Sequence, residues 1–247
     1  MQNFRPSSSA FPPVVKNLII INVLMLLASY IMEMRGIDLT SMLGLHYIQS
    51  PEFQPYQLVT HLFMHGGFMH LAFNMFALWM FGRILESVWG SKRFFIYYFV
   101  TGLGAAALHT LVNYIEFQHF AAKLSPETVQ MVLNQGTEIF NQGKNFSDPD
   151  AGRLNLMLNI PTVGASGAVF GILLGFGMLF PNTELMLLFP PIPIKAKYFV
   201  MGYGAIELFS GIVPHQGDNV AHFAHIGGML FGFLMIKYWN RNTPHFY

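Results

Sequence analysis

The chain has no cysteine among its 247 residues, which excludes a disulfide framework, a thiolate metal site and a cysteine nucleophile. Charge is equally scarce. Asp, Glu, Lys and Arg make up 10% of the residues, where a soluble domain carries about 25%. The formal net charge of +1 gives no basis for a nucleic-acid partner. There is no HExxH metalloprotease pattern and no repeat of solenoid length. What the chain holds instead is apolar bulk: 53% hydrophobic residues, with 25 Phe and 23 Gly. Phenylalanine suits lipid contact and glycine suits close helix packing. This is the composition of a membrane protein.

Residues 1–17 read as a cytoplasmic tail whose first part is rich in Pro and Ser. An apolar run from Leu18 to Met34 follows. It is longer than the core of a cleaved signal, and its exit, Glu33-Met34-Arg35, lacks a small-residue cleavage pattern, so it reads as a retained first span. Residues 35–57 are too polar to cross and too apolar for a free loop, and are expected in the interface. Further spans are expected at about 58–84, 94–115, 160–180, 196–213 and 220–239, each long enough for a hydrocarbon core of ~30 Å. The second carries His61, His65, His70 and Asn74. Spans two, four and six hold the most polar and small residues and are expected inside the bundle.

Residues 116–152 form an insertion on the outer side. Ser125-Pro126-Glu127 reads as an N-cap with proline at the first helical position. Val129, Val132, Leu133 and Phe140 then share one face of a short amphipathic helix. This segment either covers the mouth of a site or rests on the surface. Six spans put both termini on one side, together with nine Lys and Arg. The other side has four: Arg35, Lys123, Lys144 and Arg153. By the positive-inside rule both termini, including the tail 240–247, are cytoplasmic. The expected location is a bacterial inner membrane, spanned several times.

The candidate chemistry centres on Ser166, in Gly164-Ala165-Ser166-Gly167. With a helix entered at Ile160, a rise of ~1.5 Å per residue puts Ser166 roughly 9 Å below the entry. Glycines at four-residue spacing (Gly167, Gly171, Gly175) also fit helix packing alone. A serine becomes a nucleophile when a base takes its proton, and the resulting oxyanion needs donors aimed at it. His225, in Ala224-His225-Ile226-Gly227-Gly228, is the candidate base at similar depth. Gly228 and Gly232 on its span, and Gly171 and Gly175 on the fourth, form smooth ridges. Contact between them would bring Ser166 and His225 within hydrogen-bond reach.

His70 and Asn74 are four apart, share a helix face and can both donate. They suit an oxyanion hole completed by the Ser166 backbone N–H, or else interhelical hydrogen bonds. His109 and Asn113 repeat the spacing with no nucleophile on their helix, and are assigned to structure. The pairs His61/His65 and His222/His225 raise a metal site, but such sites need more ligands than cluster here. No metal and no cofactor is expected.

Three stretches together resemble the rhomboid family of intramembrane serine proteases. They are His65-Gly66-Gly67-Phe68-Met69-His70-Leu71-Ala72-Phe73-Asn74, then Gly164-Ala165-Ser166-Gly167, then Ala224-His225-Ile226-Gly227-Gly228-Met229-Leu230-Phe231-Gly232. Order, span spacing and topology match from about Leu18 to Trp239. The resemblance implies an all-α bundle of six transmembrane helices, residues 18–239, with a membrane-dipping first loop at Arg35–Gln57. It also implies a Ser166–His225 dyad without a catalytic aspartate, and an oxyanion hole of His70, Asn74 and Ser166. The implied reaction is hydrolysis, through an acyl-enzyme, of single-pass membrane proteins in or near the lipid bilayer. The alternative is a rhomboid-like pseudoprotease that binds transmembrane helices without cleavage. Such proteins typically lose the serine or the histidine, and this chain has both.

Two positions depart from the family pattern. Tyr56-Gln57 replaces a Trp-Arg pair common in the first loop, which weakens the expected anchoring of that loop. Phe170 replaces a tyrosine that in bacterial members often stacks on the catalytic histidine, keeping the ring and losing the hydroxyl. Glu207 lies deep in the fifth span, where a carboxylate is costly and a functional candidate by default. One reading makes Glu207 a third catalytic member that orients His225. Because the resemblance supplies only a dyad and makes the fifth span its gating helix, Glu207 is assigned to the gate instead. There it is protonated or hydrogen-bonded to helix ends or the outer loop, holding the fifth span closed.

Overall fold

The computed structural model describes residues 11–186, 191–213 and 220–242. Most of the expected N-terminal tail, Arg5 included, and the last residues of the C-terminal tail lie outside the described residues. Helix α1 (Pro13–Glu33) begins with proline at a position that needs no N–H. Its next two free N–H groups, on Val14 and Val15, donate to the Glu86 carboxylate at 3.0 and 2.9 Å. Ser91 Oγ donates to the same carboxylate at 2.7 Å. A buried anion therefore neutralises the positive end of the first helix and ties it to a corner of the bundle. Further along α1, Ile20, Leu24, Leu27 and Ile31 are exposed, as lipid contact requires.

The first loop holds α2 (Leu39–Leu43), capped by Asp38, and α3 (Gln57–Thr60), which continues into a 3-10 turn over 61–63. Here the structure departs from the expected second span. The backbone leaves the helix at Met64 and passes through Gly67 at φ 147° before it restarts. Then α4 (Phe68–Ala77), a π-helical turn at Leu78–Gly82 and α5 (Arg83–Trp89) run as one 22-residue rod. His61 and His65 thus belong to the re-entering chain and not to the span.

The first loop is well anchored in spite of its departure at Tyr56-Gln57. The buried Gln57 amide donates to the carbonyls of Met42 and Glu52 at 3.2 and 2.9 Å, and accepts from the N–H of His46 and Gln54 at 3.3 and 3.1 Å. An amide serves both carbonyls and N–H groups, which a guanidinium cannot.

Gly90, at φ 78°, turns the chain into the 31-residue α6 (Ser91–Ala121). Ser125 caps α7 (Pro126–Asn141) as expected, and Asp148 caps α8 (Pro149–Asn159), a helix not expected from the sequence. Val132, Ala151, Leu154 and Leu158 of this hairpin pack with Tyr47 of the first loop and Phe117 of α6. The insertion braces the first loop. It does not line the central cavity.

The remaining elements are α9 (Ser166–Leu179), a short antiparallel hairpin of β1 (Glu184–Met186) and β2 (Pro193–Lys195), α10 (Ala196–Ile212) and α11 (His222–Asn242). Among the described residues, α1, the α4–α5 rod and α6 are long and apolar enough to cross a membrane. Helix α9 is apolar but has 14 residues, about 21 Å at ~1.5 Å per residue. Ten of those residues are buried, so α9 is the central post of an all-α membrane bundle.

Its contact with α11 runs through glycine, one turn nearer Ser166 than expected. Gly228 meets the Gly167 carbonyl, and Gly232 meets Gly171 and the Tyr97 hydroxyl. Gly175 faces Tyr97, Leu85 and Trp89 instead. The ridge on α9 is therefore Gly167 and Gly171.

Candidate active site

Ser166 is the first residue of α9, so helical rise from Ile160 does not set its depth. Residues 160–165 reach it as non-helical chain held from three sides. Leu45 and Thr162 exchange backbone hydrogen bonds at 2.9 and 2.8 Å, and the Gly164 N–H donates to the His61 carbonyl at 2.9 Å. From α6, His109 Nε2 lies 2.8 Å from Thr162 Oγ1 and 3.1 Å from Asn113 Nδ2. The pair assigned to structure thus steadies the approach to Ser166. Gly164 has φ +129°, and a Cβ there would come within 2.9 Å of the His70 ring. At the head of α9 the first N–H groups have no intrahelical acceptor.

Ser166 Oγ is 2.9 Å from His225 Nε2, and His225 is the fourth residue of α11. On the other side of the ring, His225 Nδ1 is 2.8 Å from Glu207 Oε2. The same oxygen takes His222 Nδ1 at 2.6 Å. Glu207 thus meets two imidazoles at the start of α11, the helix-end kind of partner expected for it. An ionised carboxylate only accepts, so Nδ1 of His225 carries its proton and Nε2 presents a lone pair to the serine hydroxyl.

Phe170 stacks on the His225 ring with centroids 4.1 Å apart and planes 7° from parallel. Tyr203 stacks on Phe170 at 5.2 Å, and Phe199 on Tyr203 at 5.9 Å. The sequence reading did not identify Phe199 or Tyr203. The signal was there, since Phe199, Tyr203 and Glu207 fall four apart on one face of α10.

His70 stands in the first turn of α4 and Asn74 one turn later. The Gly66 N–H donates to His70 Nδ1 at 3.3 Å, so the neutral ring carries its proton on Nε2, the atom beside Gly164. His70, Asn74, Ser166, Phe170, Glu207 and His225 all line one cavity of about 920 Å³. His65 lies edge-on to His70 at 5.0 Å, and His61 Nδ1 bonds the Gln57 carbonyl at 2.8 Å. The expected site residues therefore converge on one space.

A family model described as the Rhomboid domain matches residues 52–241. The chain belongs to the rhomboid family. It is 34% identical over 231 residues to Rhomboid-like protein 11, chloroplastic, of Arabidopsis thaliana, covering 89% of this chain and 62% of the relative. It is 25% identical to Rhomboid protein 1, mitochondrial, of Saccharomyces cerevisiae, covering 72% of this chain and 40% of the relative. To RHOMBOID-like protein 5 of Arabidopsis thaliana it is 27% identical, covering 74% and 44%. The chain spans less than two thirds of the length of each of these relatives.

In this rhomboid the ligand atoms of Glu207, His222 and His225 lie within 4.8 Å of one another, close enough to hold a metal ion. Both Nδ1 atoms are already satisfied by one carboxylate oxygen. The arrangement suits proton transfer: an acceptor nitrogen on a serine hydroxyl, an N–H on a carboxylate, and further donors beside the same cavity.

Proposed function

We propose that this rhomboid is an intramembrane serine protease that hydrolyses peptide bonds in or near transmembrane segments of single-pass membrane proteins. The observation that carries this reading is the 2.9 Å contact between Ser166 Oγ and His225 Nε2 at the wall of the cavity. His225 takes the hydroxyl proton as Oγ attacks the scissile carbonyl carbon. The oxyanion turns toward His70 Nε2–H, the Asn74 amide and the Ser166 N–H, where the positive end of α9 also favours negative charge. His225 then gives its proton to the leaving amine. Water entering the cavity repeats the sequence on the acyl-enzyme, and Ser166 recovers its proton. Phe170 keeps the imidazole plane fixed throughout. No metal, cofactor or nucleic acid enters the reaction.

The orientation follows the charge count, with the start of α1, the α5–α6 corner and the β1–β2 hairpin facing the cytoplasm and Ser166 toward the opposite face. A plasma membrane of bacterial type fits this arrangement.

The test is labelling by a fluorophosphonate probe together with cleavage of a transmembrane substrate in proteoliposomes. Labelling that disappears in Ser166→Ala and His225→Ala is the expected result. Binding of a transmembrane segment with neither labelling nor cleavage would move the chain to the pseudoprotease class.

A further inference from the structure

Resting on the protease reading, we infer that Glu207 is a positioning residue for His225, so that the reacting pair is the inner part of a Ser166–His225–Glu207 relay. The contacts of Glu207 reach beyond the gate to which it is assigned. Its Oε2 lies 2.8 Å from His225 Nδ1, and on the far side of the same ring Nε2 lies 2.9 Å from Ser166 Oγ. An imidazole with one nitrogen on a carboxylate and the other on a hydroxyl is held in the tautomer that can accept the hydroxyl proton.

The second histidine supports the arrangement. His222 Nδ1 reaches the same oxygen at 2.6 Å, and its ring stands at 88° to that of His225. The carboxylate is thus steered by two N–H donors from successive turns of α11. Glu207 is 6% exposed and His225 8%, so little water competes for these bonds.

When Ser166 is deprotonated, its proton moves to His225 Nε2 and the ring becomes an imidazolium. The Nδ1 proton stays on Nδ1, donated to a carboxylate that remains ionised. When the leaving amine takes the Nε2 proton the imidazole returns to its starting form with Ser166 acylated. A water then gives one proton to Nε2 as its oxygen attacks the ester, and His225 returns that proton to Ser166 Oγ as the acid leaves.

The relay also makes the base depend on α10. Buried residues of that helix are Ala196, Val200 and Glu207, and the first two lie near its start. Beyond Val200, α10 meets the reacting groups through the Glu207 carboxylate and the Tyr203 ring stacked on Phe170. Displacement of the far half of α10 therefore removes the carboxylate from His225.

The full chain in proteoliposomes tests this with Glu207→Gln, Glu207→Asp and His222→Ala. Melting temperature, kcat, KM and the rate of fluorophosphonate labelling are measured for each. With an amide in place of the carboxylate either tautomer of His225 can be held. In a soluble serine protease the corresponding loss in kcat is about 10⁴-fold. Here the expected loss for Glu207→Gln is at least ~10²-fold in kcat and labelling rate, with KM and melting temperature near wild type. Glu207→Asp recovers part of the rate because it restores the charge. His222→Ala loses less than Glu207→Gln, because one of the two donors that steer the carboxylate is gone while the Glu207–His225 bond remains. Wild-type labelling with an equally active Glu207→Gln overturns the relay and leaves the protease reading standing. Glu207→Asp no better than Glu207→Gln assigns the effect to packing and overturns it too. Loss of wild-type activity on chelation would give the three ligands to a metal. An unlabelled wild type would overturn the protease reading itself, and the relay with it.

Discussion

The Gly167 carbonyl lies against the Cα of Gly228 with no room for a side chain between them. That contact is one residue past Ser166 and three past His225, so it sets the spacing of α9 and α11 at the level of their 2.9 Å bond. A methyl group at Gly228 has to push the helices apart. Overpacking of this kind costs about 1–3 kcal/mol, and a misplacement of about 1 Å at a reacting pair can cost 10²-fold. Gly228→Ala is therefore expected to lower both the melting temperature and turnover. Gly202→Ala is the matched control, because a Cβ there meets nothing within 4 Å. Equal behaviour of the two variants in thermal denaturation and cleavage assays would show that the glycine contact does not set the dyad.

Ser166→Ala and His225→Ala should each abolish cleavage, and the double variant should cost little more than either, since residues acting as one unit are strongly non-additive. Folding should be retained, because His222 still pairs the buried Glu207 when His225 is removed. Single-turnover cleavage alongside melting curves separates the two effects. Near-wild-type turnover in His225→Ala would place the base elsewhere.

The oxyanion donors should behave differently from the dyad. Removing one donor costs about 10²–10³ in kcat in a well-studied soluble protease. In the proposed mechanism three donors share the charge, so His70→Ala and Asn74→Ala should each lose less than that, and the pair more. His109→Ala releases Thr162 rather than a reacting atom. It should lower thermal stability and leave kcat within several-fold. A His109→Ala loss as large as that of His70→Ala would put the donors on the wrong helix.

Much of this site is legible in the sequence because its parts are local. A serine framed by glycines, a histidine ahead of glycines and a His/Asn pair at helical spacing each show on a single segment. The caps of α7 and the ring of Phe170 are of the same kind. What does not show is any relation between segments. Glu207 and His225 are 18 residues apart on separate helices, and no periodicity says that one faces the other. Glu86 is hidden similarly, because its partners Val14 and Val15 are more than 70 residues away. The break at 64–67 was missed because the apolar composition continues through it while the backbone does not.

The last prediction concerns Gln57, which holds the first loop. Its side chain donates to two carbonyls and accepts from two N–H groups, all in or beside the loop, and it is 1% exposed. Each buried group left unpaired costs about 1–3 kcal/mol. Gln57→Ala strands the buried His46 N–H and removes three part-buried bonds to Met42, Glu52 and Gln54, so a marked fall in melting temperature is expected. Gln57→Arg brings donors for Met42 and Glu52 but no acceptor for His46 and Gln54, and adds a charge to a closed site. It should also destabilise, even though an arginine is common there in the family. The effect should reach the chemistry. Leu45 of the same loop exchanges hydrogen bonds with Thr162, and that segment leads into Ser166. Limited proteolysis should therefore open residues 35–57 in Gln57→Ala, with turnover falling in parallel. Wild-type melting and proteolysis in that variant would mean that Thr60, which donates to the Leu43 carbonyl at 2.7 Å, and the braced α7–α8 hairpin hold the loop without Gln57.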